Sequence, residues 1–317
     1  MIKIYVGVTD NSWFDFLRRR PELDEVNFWK PSGDSNFRAI EPGSLFVFKL
    51  KAPRNVIGGF GIFSHSTLCP VSLAWEAFEE KNGAASLEDL RAAIATNRRV
   101  QPSRHEDFTI GCRVVTQPVF FDEMRWIPPP ANWSPNLVSG KSYDVEEPEG
   151  RELWERLQPY LKGSVRQELD DEQTPYLHPT IQTGERFGRP TLVKPRLGQG
   201  AFRLLVTDAY GRKCAVTEGK VLPALDVAHI RPYSEGGEHA ITNGLLLRKD
   251  IHTLLDRGYV TIDPSLRFVV SDRVRTEFNN GEEYRRLHGR TIAAPDKPHL
   301  RPDAGLLAWH NEEKFLG

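Results

Sequence analysis

Short apolar runs rich in β-branched and aromatic residues dominate the first 143 residues of the chain. Runs of this kind predict strands, and two stretches between them have the pattern of amphipathic helices. Ser86 stands where a helix N-cap is expected. The glycines at 58, 59 and 61 indicate close backbone approach. We therefore predict a mixed α+β domain of about 140 residues, with strands at 2–8, 44–50, 58–63 and 110–121 and helices at 73–80 and 86–96.

The chain becomes acidic after Tyr143. Between 144 and 172 it holds ten acidic and four basic residues, a net charge of −6. The middle of this stretch has a helical pattern, whereas Pro175, Pro179 and Gly184 are typical of a linker. We predict an acidic helical linker over 144–185.

The third segment, 186–317, contains a short strand ending at His229, a glycine-rich loop, a second strand and a helix that begins near Arg248. Gly258 suits the end of that helix. His229 and Asn243 are 14 residues apart, and Asn243 and His252 are nine apart. A unit of about 35 residues is too small to bury its own core. We interpret it as a short structural unit that positions functional side chains within a larger domain.

These side chains suit the hydrolysis of a phosphodiester, which requires a base for water, a cation against the developing negative charge and fixed geometry. His229 can accept a proton at neutral pH if its pKa is near the usual value of about 6.5. His252 faces outward from the helix, one turn before Asp256, a carboxylate that can fix its tautomer. Asn243 can hold a loop or the His229 ring through its amide.

Composition bounds the class of protein. The 317 residues carry 42 Lys and Arg against 43 Asp and Glu, a net charge of −1 that by itself favours a soluble metabolic enzyme. The 39% apolar share excludes wholesale disorder. The segment 185–213 nevertheless has a net charge of +5. This segment is either a basic binding face or an ordinary solvated surface.

The sequence predicts no membrane span, because no apolar run approaches the roughly 18 residues that a membrane helix needs. The first residues read as a strand, since a signal peptide would need a longer apolar core. Cys69, Cys112 and Cys214 are far apart and form no CxxC pair. Isolated cysteines fit a reducing compartment, so we expect a cytoplasmic protein with no disulfide framework.

Residues 196 to 263 resemble the HNH nucleases, which have the ββα-metal fold. The resemblance includes Leu197–Arg203 and Cys214–Thr217, and it is especially close to the subgroup found in bacterial restriction endonucleases. It implies a bacterial enzyme in which His229 is the general base, Asn243 its positioning residue and His252 a metal ligand.

One position departs from the family pattern. Many HNH nucleases have a metal-binding Asp directly before the first His, and here that position is Ala228. Asp226 lies two residues earlier, on the same side of a strand, and we expect it to supply the missing carboxylate. Asp226 and Asp250 can also simply favour a turn or a helix N-terminus. Mg²⁺ is the expected metal, and Mn²⁺, Co²⁺ or Ni²⁺ are compatible with an imidazole ligand.

The N-terminal segment places aromatic residues beside polar and turn residues. They are either ordinary core aromatics or a pocket that stacks a flipped base and reads its edge. The order of the elements over 3–143 resembles the PUA superfamily, in particular EVE and YTH-like modules that hold modified bases in aromatic cages. The resemblance implies a PUA/EVE-like mixed β-barrel that reads modified cytosine. The predicted pocket residues are Thr9, Asp10, Trp13, Asn27, Phe28, Trp29 and Trp75.

Together these features predict a metal-dependent DNA endonuclease of a modification-dependent restriction system. It has a base-reading domain at 1–143, the linker at 144–185 and an HNH domain at 186–317. We expect 5-methyl- or 5-hydroxymethylcytosine in double-stranded DNA as the target and a homodimer as the active form. The alternatives are an HNH endonuclease that reads plain sequence or another modification, an inactive DNA-binding protein, and an RNA substrate. The predicted phosphate contacts are Arg196, Arg203, Arg231 and Lys249.

Overall fold

The computed structural model describes residues 3–20, 22–33, 37–101, 107–169 and 197–317. The chain divides into two compact units, Met1–Arg196 and Leu197–Gly317. In the described residues no helix combines the length and apolar character needed to cross a bilayer.

The N-terminal unit is built on strands, as predicted. Its elements are β1 (Lys3–Thr9), α1 (Asn11–Leu17), β2 (Glu25–Asn27), β3 (Leu45–Leu50), β4 (Ile57–Pro70), α2 (Val71–Phe78), α3 (Leu87–Arg98), β5 (Thr109–Phe120), β6 (Gly140–Asp144) and α4 (Pro148–Leu169). The predicted strands and helices all correspond to observed ones. Ser86 caps α3, since its hydroxyl accepts a hydrogen bond from the Asp89 amide at 3.1 Å.

The strands form one sheet in the order β2–β5–β4–β3–β1–β6. β1 and β3 are parallel, and the other neighbouring strands are antiparallel. The predicted α+β class is confirmed. The predicted barrel is not closed in the described residues, because β2 is only three residues long and pairs with β5, which leaves β2 and β6 as edges.

Alternating residues of β3 supply two separate cores. Leu45 and Val47 pack on one face with Leu153 and Leu157 of α4. Phe46 and Phe48 pack on the other face, within a cluster made largely of aromatic side chains. The close backbone approach predicted on β4 is present, because a Cβ on Gly59 would lie 2.1 Å from the Val119 carbonyl oxygen.

The first part of the predicted acidic linker packs on this unit. Leu153 and Leu157 of α4 are buried against the sheet. The exposed face of α4 carries an ion pair between Glu152 and Arg156. Residues 170–185 of the predicted linker lie outside the described residues, as does Arg196.

The C-terminal unit begins with a helix and contains the predicted strand–loop–strand–helix. Its elements are α5 (Gln199–Ala209), β7 (Leu225–His229), β8 (Gly244–Arg248), α6 (Lys249–Asp256), β9 (Val260–Ile262), β10 (Phe268–Val270), α7 (Arg273–Phe278), α8 (Glu282–Arg285) and α9 (Ala304–Glu313). β7 and β8 are antiparallel, with His229 opposite Gly244. Gly258 follows α6 in the left-handed region, at φ +74°, as the sequence predicted.

One apolar core joins these elements. Phe202 of α5, Leu246 of β8, Ile251 of α6 and Leu307 of α9 are buried in it. Asp303 caps α9 by accepting hydrogen bonds from the amides of Gly305 and Leu306. The strand–loop–strand–helix therefore packs in one core with helices from both ends of the unit, α5 and α9.

Candidate active site

The β7–β8 hairpin and α6 bring the three motif residues into one region. His229 ends β7, Asn243 immediately precedes β8, and His252 is the fourth residue of α6. The hairpin register sets His229 beside the start of β8, and α6 follows β8 without a break. The spacing of 14 and nine residues thus reflects one hairpin and one helical turn.

Asn243 fastens the loop between the strands. Its side chain is 1% exposed. Oδ1 accepts a hydrogen bond from the Arg231 amide at 2.9 Å, and Nδ2 donates to the carbonyls of Arg231 at 3.0 Å and Glu238 at 2.9 Å. Only a side-chain amide offers this combination of one acceptor and two donors to a backbone. Asn243 therefore fixes the loop that follows His229, and its side-chain hydrogen bonds to described residues go to that loop and not to the His229 ring.

The His229 ring lies between aromatic partners. It stacks on Phe202 with ring centroids 4.2 Å apart, and its Nε2 is 3.0 Å from Nδ1 of His239. Tyr233 stacks on the His239 ring at 5.0 Å. Burial, together with the charges of His239 and His252, lowers the pKa of His229 to about 4. The ring is therefore neutral at pH 7 and able to accept a proton.

Asp226 and His252 form a pair across the hairpin and the helix. Oδ2 of Asp226 is 3.2 Å from Nδ1 of His252, and Arg203 contacts Oδ1 at 2.9 Å. On its other side, Nε2 of His252 is 3.3 Å from Asp256. Burial by itself disfavours the charged forms of Asp226 and His252. The hydrogen bond between the two side chains and the charges near them together outweigh the effect of burial. The pKa of Asp226 is consequently lowered and that of His252 is raised.

A cavity of about 390 Å³ opens over these groups. Sequence reasoning did not predict Lys314, which is brought into the cavity by the end of α9 and forms an ion pair with Glu235. No sequence signal points to Lys314, because α9 lies far beyond the motif. The acidic, basic and imidazole side chains of the lining are Arg203, Asp226, His229, Glu235, His252, Asp256 and Lys314.

The predicted phosphate contacts lie in different surroundings. Arg203 lines the cavity. Arg231 stacks over the Trp309 ring at 5.1 Å and donates to the Glu235 carbonyl, and Lys249 is exposed at the start of α6. Arg196 lies outside the described residues. Asp250, the alternative carboxylate, pairs with Arg248 and with the Tyr284 hydroxyl instead of facing the motif.

Asp226 and His252 fit a divalent metal as a pair of ligands. Two donor atoms bound to one ion at about 2.1 Å and at right angles are roughly 3 Å apart, close to the separation of Oδ2 and Nδ1. Carboxylate oxygen and imidazole nitrogen also suit the metals expected here. No group of three or more His, Cys, Asp or Glu side chains that could hold a metal occurs in the described part of the chain. A metal here would complete its coordination with water and phosphate oxygens.

In the N-terminal unit, several predicted pocket residues are part of the core. Trp13 and Phe28 are buried, with ring centroids 5.4 Å apart. Thr9 is fully buried and donates its hydroxyl to the Gly7 carbonyl, whereas Asp10 caps α1 and pairs with Lys51. Trp29 and Trp75 are both partly exposed.

Asn82, which the sequence reading did not single out, connects much of this region. It accepts a hydrogen bond from Asn27 at 2.8 Å, and its own amide donates to the Ala74 carbonyl, next to Trp75. Its backbone carbonyl accepts from Trp29 Nε1 at 3.0 Å. Asn27, Trp29 and the helix that carries Trp75 therefore share one polar partner.

Comparison with known proteins identifies the C-terminal motif. The family profile described as HNH endonuclease matches residues 214–263. No curated protein sequence shows significant similarity to the chain. The chain thus contains an HNH endonuclease domain, and the HNH resemblance predicted from the sequence is confirmed.

Two solved structures are among those to which the chain is similar at low sequence identity. The crystal structure of ASCH from Zymomonas mobilis, a PUA-like domain, is 13% identical and covers 47% of this chain and 94% of its own, with a TM-score of 0.32. The modification-dependent TagI restriction endonuclease is 12% identical and covers 98% of this chain and 81% of its own, with a TM-score of 0.28. The nuclease role rests on the HNH match and on the geometry around it.

Proposed function

We propose that the protein is a metal-dependent DNA endonuclease of a modification-dependent restriction system in the bacterial cytoplasm. In this proposal the N-terminal domain reads 5-methyl- or 5-hydroxymethylcytosine by base flipping, and the C-terminal domain hydrolyses a phosphodiester bond. The supporting observation is one cavity that combines a neutral His229 with the Asp226–His252 pair and the cations Arg203 and Lys314. The domain limits remain those proposed from the sequence, 1–143, 144–185 and 186–317.

The residues around His229 divide the chemistry between them. Because Nε2 faces His239, Nδ1 is the nitrogen left for a water molecule. His229 takes the proton of that water, the water oxygen attacks phosphorus, and the bond to the leaving oxygen breaks. Arg203 and Lys314 offer positive charge to the phosphate. Asn243 keeps the adjoining loop fixed while this happens.

Asp226 and His252 would hold the divalent metal, with Mg²⁺ as the first choice. When bound, the metal supplies Lewis-acid stabilisation of the phosphate and the leaving oxygen. His252 must give up a proton to ligate a metal, so metal binding competes with protonation of the ring.

The proposed base pocket is supported by unmet hydrogen-bonding groups. In the described part of the unit, Trp13 Nε1 and Asn27 Oδ1 are buried without a partner. Both lie against one turn, because Asn27 bonds Asn82 and a Cβ on Gly83 would lie 2.7 Å from Trp13 Nε1. A buried donor and a buried acceptor are costly unless a ligand or water meets them. Cytosine offers a complementary amine donor and ring acceptors on its pairing edge.

Cleavage of matched plasmids tests the proposal. DNAs that differ only in cytosine methylation or hydroxymethylation are incubated with the protein in Mg²⁺ and in Mn²⁺. We expect cleavage of modified DNA only, and none with His229→Ala. Equal cleavage of unmodified DNA would overturn the modified-cytosine assignment and leave the nuclease intact. Absence of cleavage with every divalent metal would overturn the nuclease assignment.

A homodimer is the proposed active form, because one HNH site cuts one strand and a double-strand break requires two cuts. Sedimentation of the protein with a modified duplex measures the assembly. Two protomers on each cleaved duplex are expected, and a strictly monomeric complex that makes double-strand breaks without a nicked intermediate would contradict it.

A further inference from the structure

Arg113 on β5 is a buried cation with little to neutralise it. The residue is 7% exposed. Its one hydrogen bond to a described residue is a long contact of 3.4 Å from Nη1 to the Tyr5 hydroxyl, and no carboxylate of the described residues forms an ion pair with it. Removing a guanidinium from water without a counter-ion is energetically unfavourable. Burial accordingly lowers the pKa of Arg113 despite the contact with Tyr5.

Aromatic rings surround the guanidinium. Its central carbon lies 4.3 Å from the Phe37 ring centroid, 5.5 Å from that of Tyr5 and 5.9 Å from that of Phe28. Ring faces attract a cation, but they leave its remaining N–H groups without a hydrogen-bond acceptor. The rings hold the guanidinium in place without using its donors.

Arg113 is not sealed off completely. It keeps 7% of its surface exposed, and none of its nitrogens is among the buried, unpartnered polar atoms of the described residues. Tyr5 and Arg113 reach each other from strands that are separated by β4 and β3 in the sheet. The two side chains therefore meet above the middle of one face of the sheet.

The residues that pair with Arg113 and Tyr5 in the sheet carry side-chain hydroxyl groups. Ser66 stands directly opposite Arg113 on β4, and Ser142 directly opposite Tyr5 on β6. Both hydroxyls now donate to backbone carbonyls of the segment that carries the Phe37 ring. The two serine hydroxyls thus serve the backbone, and the guanidinium supplies N–H donors of the kind that bind phosphate oxygens.

We propose that Arg113, with Tyr5 and Phe37, forms a phosphate-binding site of the N-terminal unit. Its ligand is a phosphate oxygen, and the source is the DNA backbone beside the base that this unit takes out of the duplex. That source rests on the proposed DNA-reading function, whereas the site itself does not. Phe28 links the two regions, since its ring contacts both Trp13 and Arg113.

Two measurements on the full chain test the site, with His229→Ala present throughout to prevent cleavage. The first is the affinity for a modified duplex as salt is varied. Arg113→Met should weaken binding about tenfold and reduce the salt slope by roughly one. The second is the rise in melting temperature caused by inorganic phosphate relative to chloride at equal ionic strength. That rise should be lost in Arg113→Met.

The control is Arg38→Met, which removes an exposed arginine next to Phe37 and should leave the phosphate effect unchanged. Without phosphate, Arg113→Met should also melt at a higher temperature than its parent, because an unpaired buried charge is gone. An arginine that only supports the fold would give a lower melting temperature.

The outcomes separate the source of the phosphate from the existence of the site. Loss of both effects supports a backbone phosphate. Loss of the phosphate effect with unchanged DNA affinity, or with no DNA binding at all, supports a site for a free phosphate compound. Phosphate stabilisation that persists in Arg113→Met overturns the proposal. If that variant does not fold, hydrogen exchange on the parent chain decides, and failure of phosphate to protect β5 overturns it.

Discussion

At the residue scale, the environment of each side chain determines what it can do. His229 and His252 are both imidazoles in the same cavity. Burial beside other histidines keeps His229 neutral, whereas the carboxylates of Asp226 and Asp256 favour the charged form of His252. Two titratable groups whose pKa values are moved apart can take different roles in one reaction. The proposed roles follow this division, with the neutral His229 as proton acceptor and His252 as a metal ligand once it gives up its proton.

Replacing Asp226 by Asn tests its role as the carboxylate ligand. Because an amide binds a divalent metal less well than a carboxylate, we expect cleavage at limiting metal to fall about 10- to 100-fold. Higher metal concentration should restore part of the activity. The measurement is initial cleavage rate against Mg²⁺ concentration, with unchanged rates at limiting metal contradicting the assignment.

Asp250→Asn is the matched control, since Asp250 bonds Arg248 and Tyr284 and does not line the cavity. The loss of a partly exposed ion pair should reduce stability by up to about 1 kcal/mol. Its metal dependence should match that of the parent.

At the element scale, α9 completes a site whose motif lies elsewhere. Lys314 follows its last residue and lies beside Glu235. The helix is anchored by His310, whose ring bonds the Thr261 hydroxyl at 2.8 Å and the Leu255 carbonyl at 3.2 Å. Because Leu255 is on α6, α9 supports the helix that carries His252. Displacement of α9 would therefore affect both a lining cation and the orientation of the motif helix.

The anchoring of α9 should depend on pH. Burial lowers the pKa of His310 and outweighs the hydrogen bond to Leu255, with the charge of Lys314 acting in the same direction as burial. The unfolded chain then binds the proton more readily than the folded one. The stabilisation is complete above the unfolded pKa of about 6.5 and is lost as pH falls through the folded value.

Hydrogen exchange of the α9 amides between pH 5 and 8, corrected for intrinsic rates, measures this effect. Protection should decrease towards acid in the parent and depend less on pH in His310→Gln. His229 also has a lowered pKa, so His229→Gln serves as the comparison. Equal pH dependence of α9 protection in the parent and in His310→Gln would contradict the prediction.

At the scale of the whole molecule, the net charge of −1 includes two segments of opposite charge, −6 over 144–172 and +5 over 185–213. The acidic stretch and the basic stretch each create a local field, and the field of a segment acts on an approaching polyanion within roughly 10 Å at moderate salt. We therefore expect the acidic residues of 144–172 to oppose non-specific binding of DNA, although the total charge is close to zero.

Neutralising part of the acidic stretch should raise non-specific DNA affinity severalfold at low salt, with the gain disappearing at high salt. Fluorescence anisotropy with an unmodified duplex provides the measurement. Replacing four glutamates by Gln changes the net charge from −1 to +3, whether they lie in the acidic stretch or elsewhere. Four glutamates outside the stretch are therefore the control. An equal gain from both sets would contradict a local effect. The test set is Glu146, Glu147, Glu149 and Glu152, and the control set is Glu22, Glu79, Glu88 and Glu312.

The sequence by itself determined the parts that depend on neighbours along the chain. The strands of the N-terminal unit, the Ser86 cap, the hairpin and the helix after Arg248 follow from local pattern and short spacing. The same spacing pointed to His229, Asn243 and His252 as candidate site residues, and the two-residue period put Asp226 on the side of the strand that carries Ala228.

Only the tertiary structure decided which distant residues meet these. Lys314 enters the cavity from the last helix, His239 reaches His229 through the fold of a loop, and Asn82 connects Asn27 with Trp29 across the N-terminal unit. In the sequence Arg113 is an ordinary strand arginine, and only the folded sheet brings Tyr5 and Phe37 into contact with it. Such contacts arise because packing of the core fixes the positions of remote elements, and no local periodicity records which side chains it brings together.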